Sequence, residues 1–527
     1  MKYILTTALA LTLLSCAPKM IVASGEKVII PIKNKKLTEE QLKNWSHLDL
    51  IKDTVPGLSL DRAYAEVIKS KKGTKVIVGV IDSGVDVEHK DLRSYIWVNQ
   101  NEIPNNQIDD DKNNFADDIH GWNFLGDIVH ENLEFVRVLR EADKDSEIYK
   151  KAQEKYEEKY SEVIENKKQL DFIVAVKKGI SDHLKKEDYN LTEVKAIKTT
   201  DGKLSQYKEI MIRILGKSSK AEFDKQIQDF EDHVNSQVNN HLNLELNSRK
   251  LLGDNHNDIT DTKYGNNNVI GPDKKEAKHG THVAGIIVKS FGKNNNLNIS
   301  NIQIMAVRAV PDGDEYDKDI ALAIRYAADN GAKVINTSFG KEFSPKKEWV
   351  YDAIKYAASK DVLIVNAAGN DTYNIDEIPV YPNDADYSNN TEVSDNFLTV
   401  GALNYVYGSE LLAEFSNYGK VHVDVFAPGV KIYATTPNNE YEFLSGTSMA
   451  APSVAGVAAL IRSYYPKLSA SEVKHILMDS GLNINKEVSI GGDASGIKMP
   501  FAETCKSGRM VNAYNALLLA KKVAAKK

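Results

Sequence analysis

Val76-Ile77-Val78-Gly79-Val80-Ile81 is a run dominated by β-branched residues with little polar alternation, and Asp82 follows it directly. A strand wet on one face alternates apolar and polar side chains, whereas a strand covered on both faces does not. The run therefore predicts a buried strand of a parallel sheet, with Asp82 at its carboxyl end, where such sheets build their sites. Ile304-Met305-Ala306-Val307, Val334-Ile335, Val362-Leu363-Ile364-Val365 and Leu398-Thr399-Val400 have the same character. Between them, residues 320–330 and 349–360 carry apolar side chains at helical spacing, and Gly331 stands where the first helix would end. Strands alternating with helices specify an α/β fold, a doubly wound, mostly parallel sheet flanked by helices.

The chain of 527 residues is 42% hydrophobic and 27% charged. That is enough for one domain of about 250 to 300 residues with further material besides. A formal net charge of -7 leaves no basic surplus to neutralise phosphates, which argues against a nucleic-acid partner. The two cysteines, Cys16 and Cys505, cannot form a disulfide framework, and Cys505 reads as a packed structural thiol. Lys2 and an apolar run from Tyr3 to Leu14, too short for a bilayer, have the layout of a secretory signal peptide. Leu13-Leu14-Ser15-Cys16 resembles the bacterial lipobox, which implies lipidation at Cys16; a plain signal peptide cut elsewhere is the alternative. The expectation is an exported chain held to the cell envelope by lipid. Ala17 in place of aspartate points to the outer membrane of a Gram-negative bacterium.

Residues 17–72 read as a lysine-rich tether and a lead-in, with a helix near Leu60 to Ser70 that Ser59 would cap. From Asp127 to Lys250 the rhythm changes. The stretch is charged, free of proline and free of glycine as far as Lys178. Tyr149, Ala152, Tyr156, Tyr160 and Val163 step by three and four, as do Phe223, Ile227, Phe230 and Val234, so two amphipathic stripes are expected. Residues 127–250 are accordingly an all-α insertion of two or three helices. It packs on itself or on the core, or it serves as a recognition arm for a partner.

Three glycine-rich stretches carry the chemistry. Gly446-Thr447-Ser448-Met449-Ala450-Ala451-Pro452 places Ser448 where a glycine-led loop enters a small-residue helix, at its positive end. His279-Gly280-Thr281-His282-Val283-Ala284-Gly285 begins another helix, on which His279 would face a cleft and His282 reads as structural. Serine hydrolysis of a peptide bond needs a hydroxyl, a base, an acid holding the base, and oxyanion donors. Asp82, His279 and Ser448 supply the first three, and no cofactor is needed for the chemistry.

Ile81-Asp82-Ser83-Gly84, His279-Gly280-Thr281-His282 and Gly446-Thr447-Ser448-Met449-Ala450 resemble, in that chain order, the three signatures of the subtilase family of serine peptidases. The resemblance covers about residues 73–125 and 265–520. It implies a subtilisin-like fold and protein or peptide substrates. It also implies an oxyanion role for Asn370 in Ala367-Ala368-Gly369-Asn370, and a substrate-pairing strand through Ser338, Phe339 and Gly340. Phe415-Ser416-Asn417-Tyr418-Gly419 resembles family sequence too and reads as structural. The division that follows is 1–16 signal and lipidation cysteine, 17–72 tether and lead-in, 73–126 with 251–527 catalytic unit, and 127–250 insertion. The near two hundred residues between Asp82 and His279 depart from the compact pattern, as does the short space for a pro-domain.

Asp109 to Asp118 is dense in oxygen ligands at alternate positions, as a hard cation favours. Asn114 stands where an EF-hand needs glycine, so the loop is of another kind. A structural calcium held by Asp109, Asp111, Asn113 and Asp118 is the expectation, against a solvated acidic turn. Two further readings stay open. One is a binding protein that uses the peptidase unit as a scaffold, and the other is a maturation or quality-control peptidase whose insertion selects one partner.

Overall fold

The computed structural model describes residues 37–69, 71–291, 301–389 and 391–527; the signal segment and Cys16 lie outside them. Among the described residues, nine strands form the central sheet. In spatial order they are Leu482–Asn483, Arg509–Met510, Val425–Pro428, Phe397–Leu403, Leu363–Ala367, Ala332–Thr337, Val76–Asp82, Ile302–Arg308 and Gly121–Asn123. Every pairing is parallel except that of Leu482–Asn483 with Arg509–Met510. Val78, Val80 and Ile81 have no exposed surface, as a strand covered on both faces requires. The doubly wound α/β reading is thus the observed architecture.

Two apolar layers cover the sheet. One gathers the inward faces of the serine helix, Thr447–Tyr464, and the histidine helix, Lys278–Lys289, with Val78, Val80 and Leu398. The other is made by the helices Asp317–Asp329 and Lys347–Ser359 against Ile81, Ile335 and Ile364. The lead-in belongs to the first layer, since Trp45, Leu58 and Leu60 are buried there and Trp45 Nε1 donates to the Val430 carbonyl at 3.0 Å. A short helix runs over Leu60–Ala63 and continues as a π-turn to Ile68. Ser59 does not cap it through its side chain. Its backbone is left-handed and its hydroxyl accepts instead from Asn512 Nδ2 at 2.7 Å. Cys505 is buried, and burial pushes its thiol up to about 11, as befits a packed thiol.

The stretch predicted as an insertion is helical: Glu134–Glu141, the 38-residue helix Glu147–Leu184, Leu191–Ala196, Gly202–Leu215 and Lys220–Ser236. Its two stripes enter different cores. Phe223, Ile227 and Val234 close a cluster with Leu170, Val176 and Met211. Ala152, Val163 and Tyr156 pack with Phe135, Val138 and Phe343, the last from the catalytic unit. Buried arginines tie both ends of the insertion to residues 314–319. Arg137 donates to the Asp314 and Glu315 carbonyls at 2.8 and 3.0 Å, while Arg249 forks onto Asp319 at 2.5 and 2.8 Å and onto Asp254 at 2.7 Å. No helix among the described residues is long and apolar enough to cross a membrane.

Candidate active site

Three neighbouring strands deliver the site. Ile81 pairs with Thr337, and Thr337 with Asn366, so Asp82, Ser338 and the Ala367–Asn370 turn leave the sheet side by side at its carboxyl edge. Adjacent strands lie about 4.8 Å apart, which brings residues remote in sequence within reach of one another.

Asp82 is 1% exposed, and its Oδ1 accepts both the Ser83 N–H at 2.8 Å and His279 Nδ1 at 2.7 Å. The approach requires Gly280, where a Cβ would lie 2.2 Å from the Gly84 carbonyl oxygen and 3.1 Å from Asp82 Oδ1. Burial lowers the His279 pKa, but the charge and hydrogen bond of Asp82 outweigh it and leave it above the usual imidazole value. His282, three residues on, takes a different partner. It is fully buried, its Nε2 meets the Glu442 carbonyl at 3.1 Å, and burial lowers its pKa to about 4. It is a neutral packed residue.

Ser448 is the second residue of its helix, behind Gly446 at the cap, so its N–H is among the donors that a helix start leaves without an intrahelical partner. Pro452, four residues on, has no N–H to give the Ser448 carbonyl. Ser338 makes good the loss by donating its hydroxyl to that carbonyl at 3.0 Å, and its own carbonyl accepts the Ser448 hydroxyl at 3.0 Å. The Ser448 hydroxyl is therefore bonded to Ser338 in this structure.

Asn370 is exposed and oriented by Thr447, whose N–H and hydroxyl both donate to Asn370 Oδ1, at 2.9 and 3.0 Å. With its oxygen so engaged, the amide turns Nδ2 outward. A Cβ on Gly446 would lie 3.6 Å from both Asn370 Nδ2 and Ser448 N, so the two nitrogens flank one spot. The turn itself is held by buried Asn417, whose Oδ1 accepts the Asp371 and Tyr373 N–H groups at 3.0 and 2.8 Å and whose Nδ2 donates to the Ala368 carbonyl at 2.9 Å. Gly369 has φ +102°, and a side chain there would strike Asn417 at 2.3 Å. Thr447 and Asn417 were visible within motifs, but their orienting roles were not, because their partners lie 77 and 44–49 residues away.

The acidic loop arranges its residues in two groups. Asp109 and Asp111, joined by buried Glu102, bring one carboxylate oxygen each to within 4.8 Å of the others. Asn113 and Asp118 turn to each other, with Asn113 Nδ2 donating to Asp118 Oδ2 at 3.0 Å. Asp118 also accepts from Asn99 at 2.7 Å and from the Tyr326 hydroxyl at 2.6 Å, and burial raises its pKa to about 6. Three carboxylates so placed could hold a metal ion; Glu102 has no spacing signal that sequence could have used.

A buried aspartate bonded to a histidine, with a serine at a helix start, is the residue set of the serine-hydrolase class of site. Residues 73–495 match the subtilase family, and the chain belongs to that family. It is 43% identical over 190 residues to a thermophilic serine proteinase of Bacillus sp. (strain AK1), covering 35% of this chain and 42% of that protein. It is 35% identical over 216 residues to subtilisin DY of Bacillus licheniformis, covering 40% of this chain and 73% of that one, and 39% identical over 190 residues to thermitase of Thermoactinomyces vulgaris, covering 35% and 61%. Among solved structures it is similar to a cold adapted subtilisin-like serine proteinase at 29% identity and a TM-score of 0.33, covering 40% of this chain and 70% of that one. The chain spans less than half the length of the thermophilic proteinase.

Proposed function

We propose that this chain is an exported serine endopeptidase working through Asp82, His279 and Ser448. His279 takes the Ser448 proton through Nε2 as Oγ adds to the scissile carbonyl, while Asp82 fixes the imidazole tautomer and stabilises the imidazolium. Asn370 Nδ2 and the Ser448 N–H receive the oxyanion. His279 then gives its proton to the leaving amine, and water, deprotonated by the same imidazole, hydrolyses the acyl-enzyme. Ser338, Phe339 and Gly340 pair with the substrate main chain as an added strand. The observation that supports this reading is the Asp82–His279 hydrogen bond at 2.7 Å in a chain whose Ser448 stands at a helix start. The test is fluorophosphonate labelling and casein cleavage by the purified protein, both expected to vanish in Ser448→Ala. Casein cleavage that persists in that variant would overturn it.

A structural calcium is proposed at Glu102, Asp109 and Asp111, where it would tie the loop and take no part in the reaction. Lipid attachment at Cys16, with placement at the outer membrane, is proposed from the sequence. Loss of radiolabelled palmitate and of membrane fractionation in Cys16→Ser is the expected result.

A further inference from the structure

The edge proposed to pair with substrate is held at both ends. At one end Ser338 and Ser448 exchange two bonds of 3.0 Å, hydroxyl to carbonyl in each direction. Among the described residues Phe339 and Gly340 make no backbone hydrogen bond, which leaves their N–H and carbonyl groups open to an added strand. Lys341 comes next, and its main chain exchanges bonds with Tyr381 at 2.8 and 2.9 Å. Its side chain is buried, and a buried ammonium needs a partner for each of its three N–H groups.

The three acceptors are Glu134 Oε2 at 2.8 Å, the Glu315 carbonyl at 2.6 Å and Asp317 Oδ1 at 2.8 Å. Glu134 belongs to the first helix of the insertion. The Glu315 carbonyl is itself held at 3.0 Å by Arg137, one turn along that helix. Arg137 also donates to the Asp314 carbonyl at 2.8 Å and to Glu134, and Asp314 closes the set by accepting the Glu134 N–H at 2.7 Å. Glu134 and Arg137 are both buried. In the interior a charge is bound to its partners far more firmly than in water. The position of Lys341, and with it the register of Gly340 against Ser448, is therefore tied to the first helix of the insertion.

We propose that Glu134 is a positioning residue for peptide cleavage: through Lys341 it fixes the free edge at Phe339 and Gly340, so that the insertion helps to present an extended substrate to Ser448. The inference rests on the endopeptidase reading above. Glu134 touches no reacting atom, and its effect divides substrates by their main chain. An extended peptide depends on the edge for its register. p-Nitrophenyl acetate has no main chain to pair, so its hydrolysis depends on Ser448 and the groups that activate it.

The experiment uses the full chain, with active sites counted by fluorophosphonate labelling, and compares kcat/KM for an extended quenched peptide with kcat/KM for p-nitrophenyl acetate. Lys341→Met is the gentler variant, since Glu134 keeps Arg137 and Asp317 keeps the Ser344 hydroxyl and the Lys346 N–H, both at 2.8 Å. In Lys341→Met and in Glu134→Ala the peptide-to-ester ratio should fall about tenfold. The double variant should fall no more than about twofold beyond either one, because both act through the same contact. Glu134→Gln, which keeps an acceptor oxygen, should recover most of the ratio. A ratio unchanged within about twofold in Lys341→Met, or two single effects that multiply in the double variant, overturns the proposal. If Glu134→Ala shows no cooperative melting curve, Glu134→Asp, which keeps the charge but not the reach, takes its place. Wild type that is not labelled sinks the peptidase reading, whereas labelling with an unmoved ratio sinks only the role of Glu134.

Discussion

Thr447→Val removes a hydroxyl and leaves the shape of a fully buried side chain almost unchanged. That hydroxyl donates to Asn370 Oδ1 at 3.0 Å and accepts the Gly369 N–H at 3.1 Å; the Thr447 N–H bond to the same oxygen, at 2.9 Å, survives. One neutral hydrogen bond is worth about 1 kcal/mol net, and the stranded Gly369 N–H costs about 1–3 kcal/mol of stability. With Asn370 held by one bond in place of two, about 0.7–1.4 kcal/mol should be lost from the transition state, a three- to tenfold fall in kcat. KM should barely move, because the amide engages charge that exists only on the way to the intermediate. Asn370→Ala removes the donor outright and should cost about two to three orders of magnitude. The decisive assay is a double-mutant cycle in steady-state kinetics on a quenched peptide, with melting curves to separate stability from catalysis. If Thr447 acts through Asn370, adding Thr447→Val to Asn370→Ala changes kcat by less than about twofold. An equal fall in both backgrounds, or a KM effect without a kcat effect, refutes the reasoning.

In Asp82→Asn the charge that outweighs burial at His279 is gone; since the base must be neutral, the acid limb of the kcat/KM profile should move to lower pH while the plateau drops by about four orders of magnitude, and a limb that stays put counts against the pairing. Calcium should raise the melting temperature, by the equivalent of about 2.7 kcal/mol at a hundredfold excess over Kd, and Glu102→Gln should abolish the increment in calorimetry. Arg249→Met leaves buried Asp319 without a cationic partner, bonded to the Tyr264 hydroxyl, while Asp254 keeps Lys318, and should cost about 3–5 kcal/mol in chemical denaturation; a loss below about 1 kcal/mol would mean that the ion pairs do not anchor the insertion.

Local pattern was enough for much of this molecule. The unalternating run at 76–81 declared a buried strand, and Asp82 had to leave at its carboxyl end. Glycine at 446 and the small residues around His279 marked helix starts, where N–H groups stand free. Other features depended on which distant surface covers a residue. Periodicity says that a helix has an apolar face but not what lies against it, so sequence could not show the long helix dividing its stripe between its own bundle and the cluster that Phe343 joins. Pro452 leaves the Ser448 carbonyl without a helical donor, and the Ser338 hydroxyl that satisfies it comes from 110 residues away. Glu102 joins Asp109 and Asp111, while Asn113 turns to Asp118, because each polar side chain takes the partner that the folded backbone places within about 3 Å. Residue type and spacing set what each side chain can do; the packing of remote segments alone chose its partner.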